Sequence, residues 1–308
     1  PPIYDRSSLN LSEEEINQKI KSGQRPHWRF KLETKEINWK DLIKGNVSFD
    51  PKNLSDPVLI RNDETLLYHL PSVIDDIQEK ITHIIRGEDH IANTAYHIQI
   101  FEALESAIPT FAHHPFLIDE QGKGFSKRMG SLSIENFKNE GFENITLLNY
   151  FLFIGSSSNI EPINDLTKII KKFDISNISK SSAKFSKESL VSLNQDTLKL
   201  FSFNQIKDKL SHLSNNLQEE TFWNFVKNNI TYFHEVSIWE KVITSINNYK
   251  DFNIDKNFVD IAANELPNDP YDANTWDTWT SKIKDKTGFK GKDLFMPLRL
   301  ILTGKSHG

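Results

Sequence analysis

The stretch "IIRGEDH" places an arginine fork, a glycine, two carboxylates and an imidazole between Arg86 and His90. At the carboxyl end of a parallel strand, where α/β sheets gather their ligands, such a set suits an anionic substrate. Arg86 is able to hold a carboxylate bidentately, Asp89 to accept from ribose hydroxyls, and His90 to pack on or bond to the substrate. The same residues equally suit a strand-ending surface turn with a local Arg–Glu pair. Upstream, "YHLPSVIDD" offers the hydroxyls of Tyr68 and Ser72 to the same cleft, against the alternative of a buried tyrosine at a strand end. Asp75 and Asp76 read as solvated or capping, and no second carboxylate is placed for an acid–base dyad. Downstream, "DEQGKGFSKRMGSLS" (119–133) brings glycines, hydroxyls, Lys127 and Arg128 together. Backbone N–H groups and two cations there could stabilise charge on a phosphoryl group. The Walker order G-x-x-x-x-G-K-[ST] is absent, and a polar surface turn is the alternative. His113 and His114 read as structural, since there is no cysteine and no H-E-x-x-H to suggest zinc. Lys168, Lys171, Lys172, Lys180, Lys184 and Lys187 form the most basic window, suited to an RNA backbone or to a solvated face.

The elements that must position these groups follow from capping signals and periodicity. Ser12 and Glu15 form a capping box ahead of "EEINQKIKSG", with Gly23 where a C′ glycine belongs. "HWRFKLE" and "INWKDLIKGNVSFD" alternate as strands do, and 56–76 reads as two apolar runs around "NDET", a hairpin leading into the next domain. "KITHIIRGEDH" is a β-branched strand halting at Gly87. A helix follows, with Ala95, Ile98, Phe101 and Leu104 at helical spacing, and then a further strand over 109–118. That is a βαβ unit, half of a doubly wound sheet. From about 134 the pattern turns helical and stays so. The aromatics Phe222, Trp223, Phe225, Tyr232, Phe233 and Trp239 fall at core spacing.

At 308 residues the chain suits two or three domains. A net charge of −5 excludes a generic DNA coater but not a shape-reading RNA partner. No cysteine is present, no export signal is apparent, and no run is long enough for a membrane span, so cytoplasm is the expected compartment. The chain starts with Pro-Pro and ends on "LTGKSHG", which reads as an internal piece of something longer.

Taken in order, "YDRS", "DPVLIRND…YHLPSVIDD", "ITHIIRGEDHIANT", "GKGFSKRMGSLSI", "LLNYFLFIG", "SKSSAKFSKESLVSLN" and "GKDLFMPLRLILTGKSHG" resemble a bacterial-type glutamyl-tRNA synthetase, a class I aminoacyl-tRNA synthetase. The resemblance implies an α/β plus all-α protein. Residues 1–70 would be the remainder of the acceptor-binding insertion and 71–118 the C-terminal half of a Rossmann-type catalytic domain. Residues 119–200 would be a KMSKS-type loop with a stem-contact region, and 201–308 a truncated helical anticodon-binding region. It implies ATP with Mg2+ as substrate, L-glutamate, tRNA(Glu) and possibly also tRNA(Gln) as partners, a monomer, and no zinc. By the same resemblance Lys127 stabilises the α-phosphate and pyrophosphate, and Ser126 and Arg128 support the loop. Gly124 and Phe125 join Lys127 and Asp89 around ATP. Arg86, Tyr68, Ser72 and His90 hold glutamate, and Arg299 contacts tRNA.

Departures from the family pattern are also legible. Gly124 replaces the first lysine of the loop signature, with Lys123 beside it, and Phe125 replaces the usual Met or Leu. Ser72 stands where some members carry asparagine. No H-x-G-H occurs, so the chain by itself is expected not to form adenylate. The alternatives are a non-catalytic tRNA-binding paralogue and an enzyme that also charges tRNA(Gln). A relative that glutamylates a tRNA base lacks the helical end, and a glutaminyl enzyme has a β-barrel there.

Overall fold

A computed structural model describes residues 3–124, 133–214, 217–244, 252–272 and 274–306. The Ser12 box is present: Ser12 Oγ accepts the Glu15 N–H at 3.3 Å, and the Glu15 carboxylate accepts the Ser12 N–H at 2.8 Å. Helix α1 (Glu13–Lys21) runs behind it. Gly23 ends it at φ 87°, with Gly23 N–H on Ile20 O and Gln24 N–H on Lys19 O, each at 3.0 Å. Only glycine takes that left-handed position without strain.

Strands β1 (Trp28–Arg29), β2 (Ile37–Asp41), β3 (Gly45–Phe49) and β4 (Val58–Ile60) follow. β1 pairs antiparallel with β4, and β2 with β3. Along β2 the period of two buries Ile37 and Asp41 and leaves Asn38 exposed. A buried carboxylate at the end of a strand needs partners, and finds them on the next sheet.

The hairpin expected over 56–76 is only a stub. Ile60 bridges Leu66, and Leu67 N–H bonds Leu59 O. The second apolar run instead folds as helix α2 (His69–Gln78). Leu70, Val73, Ile74 and Ile77 share one face, and Pro71 falls in the first turn, where a missing N–H leaves no bond unmade.

The expected strand–helix–strand unit is β5 (His83–Gly87), α3 (Ile91–Ala103) and β6 (Thr110–His114), joined by a 3-10 turn at Glu88–His90. β5 and β6 are parallel, with Arg86 opposite His113 and Gly87 opposite His114. Ala95, Ile98 and Phe101 are buried as their spacing requires, whereas Leu104 caps α3 and is exposed. The single strand expected over 109–118 breaks at Pro115. Its end becomes β7 (Leu117–Ile118), paired in parallel with β8 (Ala183–Lys184).

Helices occupy the remainder: α4 (Ile134–Glu140), α5 (Asn144–Phe153), α6 (Leu166–Lys172), α7 (Lys187–Leu200), α8 (Phe203–Ile206), α9 (Glu220–Val226), α10 (Val236–Thr244), α11 (Lys256–Glu265), α12 (Thr275–Thr287) and α13 (Lys292–Thr303). None is long and apolar enough to cross a membrane, among the described residues.

The chain divides into two compact units. The first comprises Pro1–Gly130, Leu148–Glu161 and Thr167–Lys187. Its core joins Ile37, Val73, Ala95, Ile98, Phe101 and Phe111, so β2, α2 and the βαβ unit share one interior. The second comprises Ser131–Leu147, Pro162–Leu166 and Glu188–Gly308. One of its cores surrounds Trp223, fully buried with its indole N–H on Phe201 O at 2.8 Å. Another gathers Phe258, Trp279, Ile283, Leu294 and Leu298. The aromatics of 222–239 are thus mostly core, with Phe225 the exposed exception.

Candidate functional site

Arg86 is the next-to-last residue of β5, and its side chain reaches across to α2, α3 and β6. Nη1 donates to Tyr68 Oη at 2.9 Å and Nη2 to Thr94 Oγ1 at 2.7 Å, with His90 O at 3.5 Å. Nε faces His113 Nε2 at 3.4 Å, and the guanidinium stands 6.0 Å from the Phe111 ring centre. It forms no ion pair with any described carboxylate; Asp76 and Asp89 act on it only through space. Burial pushes the guanidinium down from its ordinary value, but an arginine keeps its charge in any protein environment. Arg86 is therefore a half-buried cation whose fork is oriented and whose charge has no bonded counter-ion.

The partner that matters most to this geometry is His113. Its side chain is fully buried, with Nδ1 2.5 Å from Asp41 Oδ2. The other carboxylate oxygen accepts the backbone N–H groups of Ile43, Lys44 and His113 at 3.0, 2.9 and 3.1 Å. Burial alone would push the Asp41 carboxyl up, but these bonds outweigh it and hold it below the usual range. Burial likewise lowers His113, against the pull of Asp41. A carboxylate only accepts and an arginine only donates, which assigns the His113 proton to Nδ1 and leaves Nε2 as acceptor. The imidazole is neutral.

Below Tyr68 lie two further histidines. His69 and His97 meet edge to face at 5.3 Å, and the Tyr68 ring is 5.4 Å from His97. Neither ring nitrogen of His97 has a hydrogen-bond partner among the described residues. Burial, with the charge of Arg86 beside it, pushes His97 down to about 3. His69 is lowered for the same reasons. Both are neutral near pH 7 and leave Arg86 as the cation of the cluster.

The model of the catalytic domain of class I tRNA synthetases (E and Q) matches residues 1–192. The chain belongs to this family. Glutamate–tRNA ligase 2 of Beijerinckia indica is 43% identical over the whole of this chain and 69% of its own length. Glutamate–tRNA ligase 1 of Rickettsia bellii is 42% identical with the same coverage. Among solved structures, a glutamate tRNA ligase from Elizabethkingia meningosepticum in complex with its amino acid is 26% identical, with a TM-score of 0.76 over 98% of this chain and 67% of that one.

In this class I synthetase the site residues read from the sequence divide into three groups. Arg86, Tyr68 and His90 are brought together. The His90 ring lies 5.9 Å from that of Tyr68, with Nδ1 accepting from Asn93 Nδ2 at 2.9 Å. Tyr68 caps α2 and is half exposed, contrary to a buried strand-end tyrosine. Ser72 lies one helical turn on, its N–H bonded to Tyr68 O at 3.2 Å. Asp89 is exposed at the cluster's edge. Its carboxylate lies 2.6 Å from where a Cβ on Gly87 would fall, so a side chain at 87 would push the Asp89 carboxylate aside. Gly124 closes a small turn that bridges Ile118, organised by Asp119 accepting from Gln121 and Lys123. Phe125, Ser126, Lys127 and Arg128 lie outside the described residues. Arg299 belongs to the second unit, exposed on α13 beside a cavity of about 170 Å³ shared with Lys292 and Phe295.

The reading from sequence assigned no role to Asp41, His69, Thr94 or His97, and took His113 as structural. The one local signal was in "INWKD", where Ile37, Trp39 and Asp41 share the inward face at a period of two. An aspartate in that series marks a buried carboxylate.

Proposed function

We propose that this protein attaches L-glutamate to tRNA(Glu) in two steps, using ATP with Mg2+. A glutamate carboxylate oxygen attacks the α-phosphorus, the bond to pyrophosphate breaks, and glutamyl-adenylate forms. The terminal ribose hydroxyl of tRNA then attacks the acyl carbon and AMP leaves. The observation that carries the reading is Arg86, a half-buried cation at the end of a parallel strand with each fork nitrogen facing a neutral partner. An oriented charge lacking a bonded counter-ion favours a carboxylate over a neutral carboxamide. With the side-chain carboxylate as the group received at Arg86, that favours, within a family of E and Q enzymes, glutamate over glutamine as amino acid. The relatives from Beijerinckia indica and Rickettsia bellii are named glutamate–tRNA ligases, which supports this choice.

In this reading Arg86 receives a glutamate carboxylate, Tyr68 and Ser72 line its pocket, and His90 packs against the amino acid. Asp89 faces the ATP ribose. Lys127 stabilises charge on the α-phosphate and pyrophosphate, Ser126 and Arg128 support its loop, and Gly124 and Phe125 lie along ATP. Arg299 contacts tRNA. The first unit holds the C-terminal half of the Rossmann-type domain together with the acceptor-binding insertion. The helices beyond 200 form the anticodon-binding region of a monomeric enzyme.

The test is pyrophosphate exchange by the full-length enzyme with tRNA present, together with charging of purified tRNA(Glu) and tRNA(Gln). Exchange is expected with glutamate and not with glutamine; no glutamate-dependent exchange refutes the reading. Charging of both tRNAs would identify an enzyme that also serves tRNA(Gln). Lys127→Ala should cost a few kcal/mol in single-turnover adenylate formation, about 100-fold or more, with little change in tRNA affinity. An unchanged activation rate removes Lys127 from that role.

A further inference from the structure

Arg86 is held by a second layer that nothing in its own segment encodes. Asp41 ends β2, and the chain beyond it docks on β6 through Leu42 N–H to Phe111 O at 2.9 Å. This puts Asp41 Oδ2 on His113 Nδ1 at 2.5 Å. On the far side of the same ring, Nε2 meets Thr94 Oγ1 at 2.9 Å and Arg86 Nε at 3.4 Å. Thr94 Oγ1 in turn accepts from Arg86 Nη2 at 2.7 Å. Asp41, Thr94 and His113 are all fully buried, so none can satisfy itself with bulk water.

We infer that Asp41 and His113 are positioning residues for substrate recognition: Asp41 locks His113 as its Nδ1–H tautomer, so that Nε2 and Thr94 aim the Arg86 fork at the incoming carboxylate. The inference rests on Arg86 as the glutamate-binding cation. The interposed imidazole has a specific physical use. A carboxylate bonded directly to Arg86 would orient the fork and also occupy and neutralise it. A neutral ring orients the fork while the aspartate's own charge is taken up by three backbone N–H groups and the imidazole N–H. The receptor stays fixed and stays cationic.

The decisive variant is Asp41→Asn. Its side-chain oxygen keeps the three backbone N–H bonds, which fix the amide's orientation. The amide nitrogen then replaces Oδ2 and faces Nδ1 donor to donor. His113 must move its proton to Nε2, where it points at Arg86 and Thr94. Two-bond 15N spectra of the imidazole should show Nδ1–H in the parent and Nε2–H in the variant. The glutamate KM in pyrophosphate exchange by the full-length enzyme should rise about tenfold or more, the loss of one oriented bond to a charged group. The ATP KM should stay within about twofold, an effect below ~0.5 kcal/mol.

Arg86→Ala is measured alongside. If Arg86→Ala leaves the glutamate KM unchanged, the receptor reading itself fails. If Arg86→Ala raises it while Asp41→Asn switches the tautomer without moving it, the positioning role is overturned and the receptor reading stands. Should Asp41→Asn not fold, His113→Gln and His113→Leu decide the matter. Glutamine retains an acceptor and should keep a glutamate KM much nearer the parent's than leucine does. Equal values for the two overturn the proposal.

Discussion

Replacing Arg86 by lysine would keep the positive charge and remove the fork. The three guanidinium nitrogens face Tyr68, Thr94 and His113 at 2.9, 2.7 and 3.4 Å. A single ammonium on a shorter stem cannot serve partners on three elements at once. The fold should tolerate the change, because Thr94 Oγ1 and His113 Nε2 lie 2.9 Å apart and can bond each other, and the half-exposed Tyr68 hydroxyl can take water. A stability loss of about 1 kcal/mol is expected, typical of a point substitution. Substrate binding should suffer more. The long-range attraction of a unit charge survives, but one of the two charge-assisted bonds of a bidentate pair is lost, about 1.5–3 kcal/mol. That corresponds to a glutamate KM raised about 10- to 150-fold. The assay is a glutamate titration of pyrophosphate exchange in the full-length enzyme at saturating ATP, paired with urea denaturation. A glutamate KM equal to the parent's, or an equal rise in the KM for ATP, would refute Arg86 as the carboxylate receptor.

His97 gives the first unit a pH-dependent stability. The unfolded chain takes up its proton near pH 6.5, whereas the folded ring, lowered by burial to about 3, does not. Its contribution is complete above about pH 6.5 and declines as pH falls toward 3, by about 1.4 kcal/mol per pH unit. His97→Gln should therefore narrow the difference in urea midpoint between about pH 5 and about pH 8, and an unaltered difference would contradict a neutral buried ring. In the second unit, Trp223→Ala removes a fully buried indole and leaves Phe201 O without its donor. It should cost about 3–5 kcal/mol, seen as a lower unfolding midpoint of the helical unit; a cost under about 1 kcal/mol would mean the core there collapses around the gap.

Capping and periodicity signals account for four features of the fold. The Ser12–Glu15 box, the Gly23 stop, the β-branched strand ending at Gly87 and the helical remainder each depend on contacts a few residues apart. Arg86 and His90 were legible as neighbours because the carboxyl end of a parallel strand is where α/β proteins gather side chains, whereas Tyr68, expected on a hairpin strand, reaches them from the start of α2. Two elements were misread for a reason also local in kind. Pro71 and the apolar run around it suit a strand until the face formed by Leu70, Val73, Ile74 and Ile77 is matched to a core. Likewise, 109–118 is one apolar run whose break at Pro115 shows only once β7 has found β8.

The sequence by itself determined the chemistry available: an arginine among carboxylates, hydroxyls and imidazoles on a βαβ unit, and a glycine-flanked Ser-Lys-Arg. Tertiary structure alone decided which of those groups carry charge and where they point. Asp41 and His113 are 72 residues apart, and no spacing rule links them. Their protonation follows from being buried together, where an unpaired carboxylate or an unsatisfied imidazole would cost several kcal/mol. Burial is a property of packing, and so the state of the receptor around Arg86 is written only in the folded chain.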